Sequence, residues 1–324
     1  MLAIVLALAA ALGYGGSDFA AGLATRRSSV IRVTLLSQIV SVAVVGVALG
    51  VIGADPPRPL AVIWGLTAGL GGVVGALTLY LGFRHAAFSV AGPLSAVAAA
   101  GFSVLAGLLL RERPSALDLI GIALALPAIV GVSVSVRARA GADEAAGPPP
   151  GSAEPAGRAE PAGRAEPPGE AWPAGAAARP ARKARVPAGV TYGLIAGAGF
   201  GLLFIGLNRA GSGSGLWPVF CGQAAALSAM ICIAAFTGDL HLPERRSVWL
   251  AGLTGGTGAP ATILYFLATH RGLLAVTAVI TSLYPAVTIM LARVLLGERL
   301  TATRLAGLSL AAASVALIAV GGAG

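Results

Sequence analysis

An acidic side chain inside an apolar run is the first candidate for chemistry. Asp18 sits within the apolar stretch 2–23. An acidic group in a membrane span is costly, and usually faces a cavity or a partner. In such a place its carboxyl can bind and release a proton. Tyr284 and Pro285 lie near the middle of another apolar stretch, 273–296. Proline removes a backbone donor and frees a carbonyl one turn earlier. Within a bilayer such irregular backbone is tolerated where it is buried in protein or lines a water-filled cavity. Tyr14, Ser95, Tyr265, Ser282 and Tyr284 can offer hydroxyls to a solute, and Gln38 and Gln223 add two uncharged amides.

Other polar residues read as structure. His85 and His270, beside Arg84 and Arg271, sit where spans end and suit an interfacial anchor. Glu112 and Glu298 end two spans, and each is followed by Arg and then by a Ser or Thr suited to cap the next helix. Helix-end electrostatics accounts for both carboxylates. Cys221 and Cys232 are eleven positions apart in one span, roughly 16 Å along a helix, too far to bond. No His-Glu-x-x-His, Cys-x-x-Cys or Gly-x-x-x-x-Gly-Lys occurs, and Asp18 has no acidic partner within a span. Hence no catalytic residue, metal or cofactor is expected.

These residues must be held by membrane helices. Of 324 residues 56% are hydrophobic and 11% charged, with a mean hydropathy of +0.86. A soluble chain carries about 25% charged residues, so much of this surface must face lipid. A net charge of +9 is spread between apolar runs, which argues against nucleic acid and for loop charges that set topology. A bilayer core needs about 20 apolar residues per helix. Ten spans result: 2–23, 33–53, 60–83, 88–110, 115–136, 188–207, 216–237, 247–268, 273–296 and 303–321. Residues 137–186 differ. They are rich in Pro, Ala, Gly, Arg and Glu, with Ala-Glu-Pro-Ala-Gly-Arg at 153–158 and again at 159–164. That composition cannot offset its own ordering entropy, so a disordered linker is expected.

The chain also repeats itself. Gly13-Tyr14-Gly15 is echoed by Gly199-Phe200-Gly201, Gln38 by Gln223, Gly65 by Gly252, Tyr80 by Tyr265 and His85 by His270. Leu109-Leu110-Arg111-Glu112-Arg113 is echoed by Leu295-Leu296-Gly297-Glu298-Arg299. At this offset the counterpart of Asp18 is Phe204. Residues 1–136 and 187–324 are therefore expected to be related five-helix repeats. An odd number of spans inverts the second copy, the plan of many secondary transporters. Loop charges agree: Arg26, Arg27 and Arg32 in the first loop face only Arg209 in its counterpart, whereas Arg58 is matched by Arg245 and Arg246. The fold class expected is all-α, a polytopic membrane protein of ten transmembrane helices in two inverted repeats. Gly65-x-x-x-Gly69, Gly71-x-x-x-Gly75, Gly193-x-x-x-Gly197-x-x-x-Gly201 and Gly252-x-x-x-Gly256 suit close helix contacts.

With Gly297-Glu298-Arg299-Leu300-Thr301, its weaker partner at 111–115, and Gly13 to Phe19 in the first helix, the chain resembles the drug/metabolite transporter superfamily. Within it, the likeness is to proteins with two EamA-type domains. In that family's Trp-Gly start, Tyr14 stands here in place of Trp. The resemblance implies a ten-helix exporter or permease for small metabolites or drugs in the cytoplasmic membrane, and names no substrate. Spans one, three, four, six, eight and nine are expected to line a central cavity that opens alternately to the two sides. Proton coupling would run through Asp18. Partners expected are the lipid bilayer and a small-molecule substrate, and a homo-oligomer remains a candidate assembly. The competing reading is a membrane scaffold or lipid-handling protein without transport, which predicts a filled interior. Charge counts place the linker in the cytoplasm and both termini outside; the resemblance implies cytoplasmic termini.

Overall fold

A computed structural model describes residues 1–53, 56–85, 88–133, 186–296 and 302–321. The linker, save Val186, and the segment carrying Glu298 lie outside the described residues. Among the described residues every regular element is an α-helix. In chain order these are α1 Leu2–Thr25, α2 Val30–Ile52, α3 Pro59–His85, α4 Phe88–Leu109, α5 Ala116–Ser133 and α6 Val186–Arg209. Then come α7 Trp217–Thr237, α8 Arg245–Thr269, α9 Leu274–Thr281, α10 Tyr284–Leu296 and α11 Ala302–Gly321. A helix satisfies its own backbone, which is why apolar runs of this length take no other form in lipid.

Among the described residues seven spans are long and apolar enough to cross a membrane, with α9 and α10 together forming one of them. α5 and α11 have shorter apolar stretches, Ala116–Val130 and Leu305–Gly321. α8 is diluted by Thr254, Thr257 and Thr262 and by four glycines. Outward-facing side chains are apolar, such as Phe236 at 93% and Val51 at 80% exposure. In water these would be a large liability; lipid removes it. The chain is thus a polytopic membrane protein.

Helix ends follow local chemistry. Gly53 and Gly238, at equivalent places in the repeat, close α2 and α7 with φ of 69° and 68°. Ser115 and Asp118 cap α5 reciprocally: the Asp118 N–H donates to Ser115 Oγ at 3.2 Å, and the Ser115 N–H to Asp118 Oδ2 at 2.9 Å. This is a capping box. After α4 the chain turns through Arg111, at φ 63°, where the repeat has Gly297.

The helices of one half pack chiefly on those of the other. α1 runs along α8, α6 lies between α3 and α4, α5 pairs with α11, and α2 rests on α7 and α8. Glycines allow this closeness. A methyl on Gly69 would strike the backbone of Gly222, and one on Gly65 would lie 2.5 Å from the Pro218 carbonyl oxygen. Gly71 and Gly199 do the same for α3 against α6, and Gly193 and Gly197 for α6 against α4. The motif at Gly252 and Gly256 does not: both face open space, and Gly255 instead meets the backbone of Ser37 in α2. The helical phase that α8 needs to reach α2 decides which glycine of the cluster is in contact.

Loops pair at the two ends of the bundle. At one end Ser29 donates to Asp239, Arg32 Nε donates to the same carboxylate at 2.5 Å, and the Glu244 N–H donates to Ser28 Oγ at 3.2 Å. Hydrogen bonds from Ser29 and then Arg32 hold the Asp239 carboxyl below the usual carboxylate range. At the other end the Arg58 N–H donates to Ser214 Oγ at 3.1 Å, and the Arg209 guanidinium lies 5.7 Å over the Trp64 ring.

One span departs from expectation. The stretch 273–296 is two helices, broken at Ser282 and Leu283. Pro285, the second residue of α10, has no N–H to continue the ladder from α9. The first turn of α9 is finished from the other half of the chain. Glu112 accepts from the N–H of Leu274 at 2.6 Å and of Ala275 at 3.0 Å. Its carboxylate therefore sits on a helix N-terminus, where unpaired N–H groups and the helix dipole favour an anion.

Candidate functional site

A cavity of about 900 Å³ of space between atoms, mouth included, lies within the bundle. It is walled by helices from both halves. α1 supplies Tyr14, Ser17 and Asp18; α2 supplies Thr34, Ser37, Gln38 and Ser41. Tyr80 comes from α3, Thr254 and Thr262 from α8, and Tyr284 from α10. The lining from α6 and α7 is largely apolar, with Phe200, Leu203, Phe204 and Leu207 on α6 and Val219 and Ala226 on α7, beside the polar Gln223. Among the described lining residues Asp18 is the one carboxylate, and no Lys, Arg or His joins it.

The polar groups are held by short chains of hydrogen bonds. The Tyr80 hydroxyl donates to Asp18 Oδ1 at 3.4 Å. Tyr14 donates to Thr262 Oγ1 at 3.0 Å, and Thr262 passes its own proton to the Gly258 carbonyl at 3.0 Å. Ser95 gives its proton to the Gly92 carbonyl at 2.7 Å, so the Tyr284 hydroxyl, 3.1 Å away, is the donor to Ser95. Ser17 anchors α1 to α8 through the Thr254 carbonyl at 2.9 Å. Gly15 has no side chain where α10 crosses, since a methyl there would lie 2.8 Å from the Tyr284 carbonyl oxygen. The Thr288 hydroxyl ties the same crossing to the Gly15 carbonyl at 3.1 Å. The broken span thus places Tyr284 at the wall beside the helix that carries Asp18. Gln38 Oε1 is buried and has no hydrogen-bond partner.

Five of the eight residues expected at a substrate or coupling site line this cavity: Tyr14, Asp18, Gln38, Gln223 and Tyr284. The other three sit behind it. Ser95 is fully buried and supports Tyr284. Tyr265 is fully buried under Phe204, ring centroids 4.3 Å apart, and its hydroxyl donates to the Phe204 carbonyl at 3.3 Å. Ser282 is fully buried at the break between α9 and α10, its hydroxyl unpartnered. The set of lining spans also differs from expectation. Span four contributes no lining residue, while spans two and seven do. α4 lies behind α6, drawn in by Gly193 and Gly197, and so cannot reach the wall.

Two features went unread in the sequence. Tyr80 counted only as a repeat marker, yet it is the partner of Asp18. Thr34, Ser37, Gln38 and Ser41 recur at i, i+3, i+4 and i+7, a polar stripe on one face of an apolar helix, and that spacing alone marks a face turned from lipid. The repeat itself is visible in the wall. Tyr80 meets Asp18, and its counterpart Tyr265 meets Phe204, the counterpart of Asp18. The same pair of positions meets in both copies, through a side-chain hydrogen bond in one and through ring contact and a bond to the backbone carbonyl in the other.

A family model, described as the EamA-like transporter family, matches residues 1–134 and again 187–320. The chain belongs to that family. Its members are transporters rather than enzymes, so the cavity lies within a multi-pass membrane transporter. No curated protein matches the sequence. A solved crystal structure matches at a TM-score of 0.67 and 17% identity, over 97% of this chain and 95% of its own. At that identity the likeness to it is one of fold.

Proposed function

We propose that this chain is a secondary active transporter that exports small metabolites or drugs across the cytoplasmic membrane. Its ten spans act as two inverted repeats, 1–136 and 187–324, joined by the linker 137–186. The pairing of loops supports inversion: the α1–α2 loop meets the α7–α8 loop, and its repeat counterpart, the α6–α7 loop, meets the α2–α3 loop. Counterpart loops thus join different partners, as a two-fold axis in the membrane plane requires. The halves rock about the cavity, and protons drive the cycle through Asp18.

The observation that carries this reading is one carboxylate in a cavity walled by both halves. A non-transporting scaffold predicts a filled interior, and a cavity lined from both halves speaks against it. The test is solute flux in proteoliposomes under imposed pH gradients of either sign. Flux should follow the sign of the gradient and be abolished in Asp18→Asn, with the variant's thermal midpoint unchanged. Equal flux under both gradients, or an Asp18→Asn variant that transports normally, would remove proton coupling. Absence of any gradient-driven flux over a broad metabolite panel would remove the transport reading.

A further inference from the structure

The cavity is unequal in charge, in hydrogen bonding and in polarity. Its one ionisable acid is unopposed, because among the described lining residues there is no base to pair with it. A carboxylate is satisfied by donors, and Tyr80 supplies a single long bond of 3.4 Å. On α2, lining the same cavity, Gln38 holds a second acceptor, its buried Oε1, with no partner. A buried acceptor left unpaired costs free energy until a donor arrives. Both residues line one cavity, and among its described lining residues there is no Lys, Arg or His. The lining from α6 and α7, Phe200, Leu203, Phe204, Leu207 and Val219, is apolar and buried or partly buried.

From this we infer that the substrate is a protonated primary or secondary amine on an apolar, aromatic-sized body. Its N–H groups donate to Asp18 and to Gln38 Oε1, and its body lies against the α6 and α7 wall. Aromatic faces at Tyr14, Tyr80 and Phe200 add a preference for positive charge. A carboxylate-bearing solute lacks a basic partner among the described lining residues, and an uncharged one leaves the Asp18 charge without a counter-ion. This inference deepens the transport reading, since it uses the same cavity. It also ties the two fluxes together: a proton on Asp18 removes the charge that the amine needs. The titratable groups around that carboxyl are Tyr14 on its own helix, Tyr80 from α3 and Tyr284 from α10. α2 and α8 turn only uncharged groups to the cavity, and α9 contributes no lining residue.

Equilibrium binding to the purified full chain in nanodiscs tests it, with four indoles of one shape and different charge. These are tryptamine, tryptophan, indole-3-propionate and 3-methylindole. Tryptamine should bind roughly ten- to a hundredfold more tightly than the others at neutral pH, the worth of a charge-assisted hydrogen bond. Asp18→Asn should erase that preference, and Gln38→Leu should reduce it. Should Asp18→Asn fail to fold, the wild-type chain still decides. On acidification its tryptamine affinity should fall by up to about tenfold per pH unit, while that for 3-methylindole stays flat. Preference for the zwitterion or the anion, tryptamine affinity indifferent to both pH and Asp18→Asn, or no binding by any of the four would overturn the inference. Failure of the transport reading looks different: tryptamine binds as described and no gradient moves it. Flux of solutes of another charge without amine binding leaves transport standing and sinks the amine alone.

Discussion

Removing the Glu112 carboxylate should loosen α9 selectively, because two backbone donors depend on it. The N–H groups of Leu274 and Ala275 donate to Glu112 at 2.6 and 3.0 Å, and both residues are fully buried. In Glu112→Ala each is left unpaired away from water, at about 1–3 kcal/mol apiece. Loss of the negative charge at the helix N-terminus adds about 0.3–1 kcal/mol. Taking mid-range values, the variant should lose about 4–5 kcal/mol. Glu112→Gln keeps one neutral bond and loses the second and the charge, so about half of that cost is expected. For a domain of this size 1 kcal/mol corresponds to about 2–4 °C, which places the Ala variant roughly 10 °C or more below the parent in a detergent thermal-shift assay. Amide hydrogen exchange gives the local reading: the Leu274 and Ala275 amides should speed up beyond the global change. An Ala variant within about 1 °C of the parent, with both amides still protected, would refute the argument that this carboxylate holds the broken span.

Three more predictions concern packing, backbone and pH. Gly69→Ala should destabilise by about 1–3 kcal/mol, as overpacking does, because its methyl meets the backbone of Gly222; Gly256→Ala, facing open space, should be neutral or stabilise by up to about 1 kcal/mol, and thermal midpoints of the pair decide. Arg111→Gly should stabilise by about 0.5–1 kcal/mol by relieving a left-handed residue, measured the same way; a destabilised variant would mean that the guanidinium matters more than the backbone. The Asp239 carboxyl is held low by Ser29 and Arg32, so its folded-state pKa lies below its unfolded one. Its contribution is full above the ordinary carboxylate range and is lost as pH falls through the lowered value. With side chains 35% and 18% exposed, the pair is worth no more than about 0.5–1 kcal/mol. Asp239→Asn should lower the thermal midpoint at neutral pH and make no difference in strong acid.

Much of the site was legible because membrane spans make polar residues conspicuous. Asp18, Gln38, Gln223, Tyr14 and Tyr284 stand out against apolar neighbours, and all five reach one cavity. Ser95, Tyr265 and Ser282 stand out equally, yet lie behind the wall: the first two hydroxyls are satisfied inside the bundle by a carbonyl or another hydroxyl, and that of Ser282 is buried without a partner. Composition cannot separate these uses; helical phase against a neighbour can. The stripe from Thr34 to Ser41 carried that phase information in its spacing. Glu112 follows the end of α4, but the helix whose N-terminus it caps lies in the other half, 162 residues away. Such a contact depends on how the halves interlock, which no local pattern encodes.

That interlocking sets a condition on synthesis. α1 finds its main partner in α8, and α3 and α4 find theirs in α6. While the ribosome has delivered only the first five helices, their glycine-lined faces have nothing but lipid or each other against them. The buried surface is completed only when the second half arrives. Neither half is therefore a finished folding unit. The contacts of α1, α3 and α4 with their main partners stay unmade until the second half has been inserted.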